Sequence, residues 1–284
     1  MSGETKVAAL PSVHAVRHGP AWVPQGSQFS GLYLREIIKT FRNPFVIVIT
    51  IAQPFMWLAF FGSSFGNVGN SAFFDQTVLH APVGTTFIQF LLPGVLSTSM
   101  LSIGMFGSMS TIQDKRFGFM KRVLITPTSK ATVYLTKALG SATRGMVQIP
   151  VMIVAAWAFG IPFVGTPLAW AGWVLGLVFL GVGFSAFFLA VTASSTDWQT
   201  PGVISNFITM PLMFASGALF PAQNYPSWMQ TIANYNPVGY AALLGREVVV
   251  YGSFDWIYLG YLALFAVVML VVGTAVASRY LKVE

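Results

Sequence analysis

The chain has 284 residues, of which 55% are hydrophobic and only 8% are charged, and its mean hydropathy is +0.70. Soluble globular domains carry about 25% charged residues, so this chain lacks the charges that a water-exposed surface requires. Its net charge of +7 is concentrated beside apolar segments, which favours an orientation signal in a membrane over nucleic-acid binding. The absence of cysteine excludes disulfides and thiolate chemistry. We therefore predict an all-α, polytopic membrane protein.

The N-terminal region divides into two parts. Residues 1–27 mix Pro, Gly, His and Ser without periodicity, which predicts a flexible cytoplasmic tail and not a signal peptide. From Gln28, apolar residues recur at helical spacing, with basic residues on the other faces, as far as Asn43-Pro44. This pattern is typical of an amphipathic helix in the membrane interface, and the alternative is an extension of the first membrane span. Residues 28–284 are expected to form one transmembrane domain.

Apolar runs long enough for a hydrocarbon core of ~30 Å predict six transmembrane helices. They are residues 45–62, 86–109, 146–162, 168–194, 201–220 and 256–279. The third is short, and we expect it to begin earlier, near Leu139. The interiors of these spans hold no Asp, Glu, Lys, Arg or His, so a proton relay or an ion-coupled carrier lacks its usual residues.

The basic residues predict the orientation of the chain. If the N-terminus is inside, fourteen of the fifteen Lys and Arg residues fall on the inner side, and only Arg246 falls outside. Positively charged segments stay in the cytoplasm, so both termini are predicted to be cytoplasmic.

The segment Ser110 to Arg144 is a polar island between two long apolar runs and contains seven of the fifteen basic residues. Its middle predicts a short amphipathic helix. Phe117 and Met120 on one face suit insertion into a groove of a partner, while the neighbouring charges fix its register. The alternative is that these cations only set the topology and bind anionic lipid headgroups.

The second and fifth spans hold most of the hydroxyl and thioether groups of the membrane region. Such surfaces suit a pathway for an amphipathic substrate, and the alternative is ordinary helix packing. We expect these spans of two protomers to face each other and Asn206 to be a buried amide that needs a polar partner. The candidate pathway residues are Ser102, Met105, Asn206, Thr209 and Met213.

The segment 221–252 is amphipathic and is interrupted by prolines. Its aromatic residues favour an interfacial loop on the outer side, where Asn234 and Asn236 are expected to cap short helices. Arg246 and Glu247 are expected to pair there, with little energetic weight if they are exposed.

Two local patterns resemble a known family, the type-2 ATP-binding cassette (ABC) permeases. Residues 90–94 (Phe-Leu-Leu-Pro-Gly) and 114–127 resemble the second span and inner loop of that family, and residues 210–221, continuing to Arg246, resemble its signature near the fifth span. The resemblance covers residues 28–284 and is nearest to the drug- and lipid-exporting branch typified by daunorubicin-resistance permeases. One departure is Arg116, because the family often has an acidic residue two positions after the equivalent of Asp114.

The resemblance implies two functional elements. The first is a cytoplasmic coupling helix that contacts the ATPase, with the residues Asp114, Arg116, Phe117, Gly118, Met120, Arg122 and Pro127. The second is an outer re-entrant hairpin before the last helix, with the residues Pro221, Trp228, Asn236, Pro237 and Arg246.

The resemblance also implies partners. These are two separate ABC ATPase subunits that bind ATP and Mg, a second permease copy or homologue, and membrane lipids, all at the cytoplasmic membrane of a prokaryote. The chain itself has no Walker A sequence, so we expect no cofactor in it, no metal site and no partnership with nucleic acid.

The sequence thus favours the permease subunit of an ATP-driven exporter of drugs, lipids or glycolipids, with no enzyme activity of its own. The alternative is a membrane-embedded enzyme acting on lipid-linked substrates. That function needs carboxylates or histidines at the membrane surface, and these are scarce. A third interpretation is a non-transporting assembly or regulatory factor.

Overall fold

The computed structural model describes residues 25–66, 81–82, 84–124, 128–162, 164–193, 195 and 199–280. Within these ranges the chain forms eleven α-helices, one 3-10 turn (Ala222–Asn224) and one π-helical turn (Glu247–Tyr251), and it has no strand. The helices are α1 (Gln25–Phe41), α2 (Pro44–Gly66), α3 (Phe87–Arg116), α4 (Phe119–Leu124), α5 (Lys130–Met146), α6 (Gln148–Ala158), α7 (Pro167–Val191), α8 (Thr200–Phe214), α9 (Ser227–Tyr235), α10 (Pro237–Arg246) and α11 (Trp256–Tyr280).

Five segments of the described chain are long and apolar enough to cross a membrane. They are Pro44–Phe65, Phe87–Arg116, Lys130–Ala158, Pro167–Val191 and Trp256–Ala277. These confirm the all-helical class and five of the predicted membrane-spanning runs.

The predicted fifth span, residues 201–220, is shorter than expected. Its helix, α8, has 15 residues and ends at Phe214, so it is ~22 Å long, less than a hydrocarbon core of ~30 Å. The chain turns at Gly217, whose φ of 72° lies in the left-handed region. The apolar run therefore continues past the helix as an irregular segment.

The third span begins earlier than residue 146, as predicted, but its helix α5 starts at Lys130, well before the expected start near Leu139. Val147 has helical backbone angles and joins α5 to α6. The interruption lies one turn before Pro150, which has no N–H to donate to the preceding turn. α5 and α6 thus form one interrupted span.

The bundle is built around α3 and α7, which pack against each other. Within its most apolar window α3 is 78% buried, whereas the corresponding windows of α2 and α11 are 17% and 22% buried. Gly104 allows the close approach of the two central helices, because a Cβ there would lie 2.7 Å from the carbonyl carbon of Phe184. The central pair therefore fixes the positions of the polar groups at both ends of α3.

The N-terminal helix, α1, starts at Gln25, three residues before the predicted start, and stops before Asn43-Pro44 as predicted. It packs against α5 and α2, and its place in a membrane interface stays a prediction. The predicted tail lies outside the described residues up to residue 24.

The bundle has two polar ends, and α3 connects them. Asp114 lies near its last turn and Phe90 near its first, so ~36 Å separates them along the helix axis. The α4 end contains Asp114 together with α1, α4 and the start of α5. The α10 end contains Phe90 together with the irregular segment after α8, and α9 and α10.

Candidate functional site

A buried group of ionic side chains lies at the α4 end, and we call it the charge cluster. It joins three helices and consists of Arg35, Glu36 and Lys39 of α1, Asp114 of α3, and Lys137 and Arg144 of α5.

Asp114 is the centre of this cluster. Its carboxylate contacts the ammonium of Lys137 directly, and it lies 3.0 Å from Lys39 Nζ and 3.3 Å from Arg35 Nη2. Glu36 accepts hydrogen bonds from Arg35 and from Lys137, each at 2.8 Å. Asp114, Glu36 and Lys137 are all buried, and in such a place an unpaired charge costs several kcal/mol. These three residues can therefore be buried only because they form ion pairs with one another and with Arg35 and Lys39.

Helical spacing explains why the cluster forms. Arg35, Glu36 and Lys39 lie within little more than one turn of α1, and Lys137 and Arg144 lie two turns apart on α5, so each helix presents its charges along one side. Arg144 Nε donates to Thr40 Oγ1 at 3.3 Å. The cluster thus holds four cations and two carboxylates and keeps a net positive charge.

The segment predicted to couple to an ATPase is a short helix supported by this cluster. α3 ends at Arg116, the chain turns at Gly118 with a φ of 69°, and α4 follows. The Arg35 guanidinium lies 3.4 Å from the centre of the Phe119 ring, so the charge cluster also holds the start of α4. Phe117 projects from the turn and is 74% exposed.

The other predicted coupling residues occupy different environments. Arg116 and Arg122 are exposed. Their neighbour Lys115, which is not one of the predicted residues, donates from Nζ to the Ala193 carbonyl just after α7, at 2.5 Å. Pro127 and the side chain of Met120 lie outside the described parts of the chain. A coupling function for these residues stays a prediction.

The resemblance places Asp114 in the coupling segment, and its carboxylate is directed towards three cations of its own chain. The reason is the length of α3, which keeps Asp114 inside the bundle and places Arg116 and Phe117 outside it. A contact between Asp114 and the ATPase stays a prediction. Glu36 was not among the predicted residues, although a carboxylate between two cations of an amphipathic helix is a detectable signal.

The predicted pathway residues lie on α3 and α8, which pack together within one protomer. Ser102 Oγ donates to the Thr98 carbonyl at 3.2 Å. Ser102 and Met213 line a small cavity of about 20 Å³, together with Gln53 and Trp57 of α2. Met105 is partly buried against the core.

On α8 the polar residues divide between two faces. Ser205 and Thr209, one turn apart, are buried, and neither hydroxyl has a hydrogen-bond partner among the described residues. Asn206 lies about 100° around the helix from Ser205, beside Phe207, and both Asn206 and Phe207 are exposed on this single chain. Its expected burial where two protomers face each other stays a prediction.

A buried amide does exist elsewhere in the membrane region. Gln148, at the interruption between α5 and α6, is fully buried, and its Nε2 donates to Ser99 Oγ of α3 at 2.7 Å. Gln148 was not among the predicted residues, because a single amide two positions before a proline carries no periodic signal.

At the α10 end, Arg246 holds together three parts of the chain. Its guanidinium donates to the carbonyls of Phe90 (3.2 Å), Gly217 (2.9 Å) and Ala218 (2.5 Å), and it lies 3.7 Å from the centre of the Phe90 ring. Burial lowers the pKa of Arg246 to about 9, and the nearby phenol groups of Tyr225 and Tyr251 act in the opposite direction. The guanidinium therefore stays charged at neutral pH.

The expected pairing of Arg246 with Glu247 was wrong. Arg246 bonds backbone carbonyls of α3 and of the irregular segment, while Glu247 accepts a hydrogen bond from the Ser253 hydroxyl. The expectation of an exposed pair failed because α10 packs against α3 and α11, which buries Arg246.

The rest of this segment is organised by Asn236, which was predicted as a helix cap. Its side chain accepts from Val238 N at 3.0 Å at the start of α10, which confirms this cap, and its Nδ2 donates to the Leu212 carbonyl of α8 at 2.7 Å. The cap expected at Asn234 was wrong, because that residue lies inside α9. Pro237 is the first residue of α10, and Pro221 is buried before the 3-10 turn, whereas Trp228 on α9 is exposed. A re-entrant position for α9 and α10 stays a prediction.

Helices long enough to span a membrane, with a polar structure at each end of the bundle, define an integral membrane protein. Residues 27–250 match the family described as ABC-2 type transporter. The chain belongs to this family and is therefore a membrane transport subunit of an ABC transporter. The resemblance found in the sequence is confirmed.

The chain is similar to several named permeases. It is 25% identical over 269 residues to a putative transport permease ycf38 of Pyropia yezoensis, covering 89% of this chain and 87% of that protein. It is 24% identical over 217 residues to the daunorubicin resistance ABC transporter permease protein DrrB1 of Streptomyces coeruleorubidus, covering 76% and 73%. It is 20% identical over 207 residues to the probable doxorubicin resistance ABC transporter permease protein DrrC of Mycobacterium tuberculosis, covering 73% and 71%.

Proposed function

We propose that this protein is the permease subunit of an ATP-driven exporter of an amphipathic or lipid-like substrate. Two permease chains, identical or homologous, form the pathway, and two separate ATP-binding subunits, which hold ATP and Mg, dock at the α4 end. The named relatives support the substrate class, because two of them are described by resistance to daunorubicin or doxorubicin.

The observation that carries this proposal is the exposed aromatic tip of the α4 end. Phe117 is a large apolar side chain at the end of a 30-residue helix, and it projects away from the bundle. An exposed apolar anchor surrounded by cations is suited to a groove of a partner with acidic edges.

The charge cluster explains how movement of α4 reaches the membrane helices. Arg35 contacts both the Phe119 ring and Asp114, and Asp114 is bound to Lys137 of α5. A displacement of α4 therefore moves α1, α3 and α5 together, since separating them exposes buried charges. ATP binding then acts on the pathway by favouring one arrangement of these helices over another.

The distribution of basic residues supports a cytoplasmic position for the α4 end. In this proposal the α4 end is cytoplasmic, both termini are inside, and α1 lies at the inner surface of a prokaryotic cytoplasmic membrane. The alternative of an enzyme gains no support from the charge cluster, because Asp114 and Glu36 are both bound to cations of this chain.

The proposal is tested with Phe117→Asp in the complex with the cognate ATP-binding subunit. We expect this variant to lose copurification of that subunit and substrate-stimulated ATP hydrolysis, because a charge replaces the apolar anchor. The matched control is Phe159→Asp, which alters an exposed aromatic residue in the turn after α6. Both variants are expected to express and elute as the wild type does. Normal subunit stoichiometry and stimulated hydrolysis in Phe117→Asp would contradict docking at α4.

A further inference from the structure

A cavity beside Arg246 is not used by the transport proposal. It has a volume of about 520 Å³ and lies at the α10 end, between the irregular segment after α8, the helices α9 and α10, and the start of α11. Leu243 and Tyr251, which line it, are also exposed on the surface of the bundle. The cavity therefore opens towards the surroundings of the membrane domain.

One wall of this α10 cavity carries a buried cation that forms no ion pair with any residue in the described part of the chain. Arg246 is only 7% exposed, and its partners among the described residues are three carbonyls and an aromatic ring. Three of its five N–H groups make those bonds, so donor capacity remains. Carbonyl dipoles solvate the guanidinium but do not neutralise its charge. An anion that entered the cavity would neutralise it.

The same wall carries a carboxylate that does not pair with Arg246 in the described chain. Glu247 is the next residue and lines the same cavity, yet in the described chain it forms no ion pair with Arg246. The Ser253 hydroxyl donates to one Glu247 oxygen, which leaves the other oxygen for a cation. Two neighbouring groups of opposite charge are thus each held by other partners and face one cavity.

The backbone at this wall is also unusual. Glu247–Tyr251 form a π-helical turn that ends at Gly252 with a φ of 68°, and Glu247, Val250 and Tyr251 all line the cavity. π-Helical turns are rare and occur frequently at functional sites. The widened turn allows three residues of one short segment to reach the cavity.

The remaining surface is aromatic. Tyr240 and Tyr258 line the cavity and stack with ring centres 6.0 Å apart, and Tyr240 also stacks on Tyr261 at 5.0 Å. Rings with a polar tip suit the boundary between a headgroup and acyl chains. A half-buried tyrosine wall of this kind favours a ligand that is polar at one end and apolar at the other.

We propose that the α10 cavity binds the headgroup of a zwitterionic aminophospholipid. Its phosphate lies at Arg246, its ammonium group at Glu247, and its acyl chains pass beside the tyrosines to the hydrocarbon. The site lies in the outer leaflet in the orientation given above. Binding is a property of this chain alone and does not depend on transport or on the ATP-binding subunits.

The test is native mass spectrometry of the purified full-length chain in detergent. Phosphatidylethanolamine, phosphatidylglycerol and phosphatidylcholine with the same acyl chains are added at equal concentration. We expect phosphatidylethanolamine to be retained about tenfold more than phosphatidylglycerol. Only phosphatidylethanolamine has an ammonium group that can make a charge-assisted hydrogen bond to Glu247. Equal retention of these two lipids by the wild-type chain would overturn the proposal.

Two variants distinguish the charges from the shape of the cavity. Glu247→Gln is expected to bind phosphatidylethanolamine and phosphatidylglycerol equally, because it removes the partner of the ammonium group. Val250→Trp fills the cavity, keeps both charges and is expected to lose retention of every lipid. Its matched control is Val268→Trp on the exposed face of α11, which is expected to bind as the wild type does. Thermal unfolding confirms that each variant is folded.

A final arm separates a lipid from a soluble ligand. Glycerophosphoethanolamine carries the same headgroup without acyl chains, and we expect it to leave the bound lipid in place at equal concentration. Displacement by this compound, or unchanged lipid retention in a folded Val250→Trp variant, would contradict a lipid site.

Discussion

The two ends of α3 bury charge in opposite ways. At the α4 end, Asp114 and Glu36 are paired with cations from two other helices. At the α10 end, Arg246 is surrounded by backbone carbonyls, and the neighbouring Glu247 is bound elsewhere. Paired buried charges resist separation, so they transmit movement between helices. An unneutralised charge beside a cavity is available to a ligand, so the two ends suit different tasks.

The largest expected effect comes from breaking the charge cluster. Lys137→Met removes the cation shared by Asp114 and Glu36, and we expect it to destabilise the protein by ~3–5 kcal/mol, because buried carboxylates lose their partner. Thermal unfolding in detergent measures this. Arg122→Met, which removes an exposed cation of α4, is the control and is expected to have little effect. A double variant that also carries Asp114→Leu should be more stable than Lys137→Met alone, and strict additivity would contradict the pairing.

A smaller loss of stability is expected at the α10 end. Arg246→Met leaves the carbonyls of Gly217 and Ala218 without this donor and should cost ~1–3 kcal/mol. The exposed Arg279→Met is the matched control. Combining Arg246→Met with Glu247→Gln should give additive losses, because these residues form no ion pair in the described chain. A strong coupling energy between them would remove the contrast between the two ends.

The cap of α10 should contribute less to the stability of the protein than Arg246 does. Asn236→Ala removes both the cap of Val238 N and the bond to the Leu212 carbonyl, so we expect a loss of ~1–2 kcal/mol. Asn234→Ala, two residues earlier on the exposed end of α9, is the control. Similar unfolding temperatures for the two variants would show that α10 does not depend on this cap.

The smallest effect on stability is expected on α8. Thr209→Val removes a buried hydroxyl that has no partner in the described chain, so the stability should change by less than ~1 kcal/mol. If this hydroxyl contacts substrate, substrate-stimulated ATP hydrolysis should nevertheless fall. Asn206→Leu changes the exposed face of the same helix and serves as the comparison for Thr209→Val. Unchanged stimulation in both variants would favour a packing role for α8.

Several features could be predicted from the sequence, because they depend on local patterns. Long apolar runs gave the membrane-spanning helices, the Asn43-Pro44 step gave the boundary between α1 and α2, and the polar island gave the short helix α4. The motifs around Asp114 and Arg246 gave the family. Each of these signals lies within a few turns of the chain, where composition and periodicity are sufficient.

The tertiary structure decided the partners of the charged residues. Glu36 and Lys137 are 101 positions apart in the chain, and Arg246 and Phe90 are 156 apart, so no local pattern pairs them. It also decided the end of α8 at Phe214, which depends on a turn at Gly217 whose carbonyl is bound by Arg246. The sequence therefore determined which segments are long and apolar enough to span a membrane. Packing around α3 determined which charges are paired and which one faces a cavity, because burial makes the cost of an ion depend on neighbours that are distant in the chain.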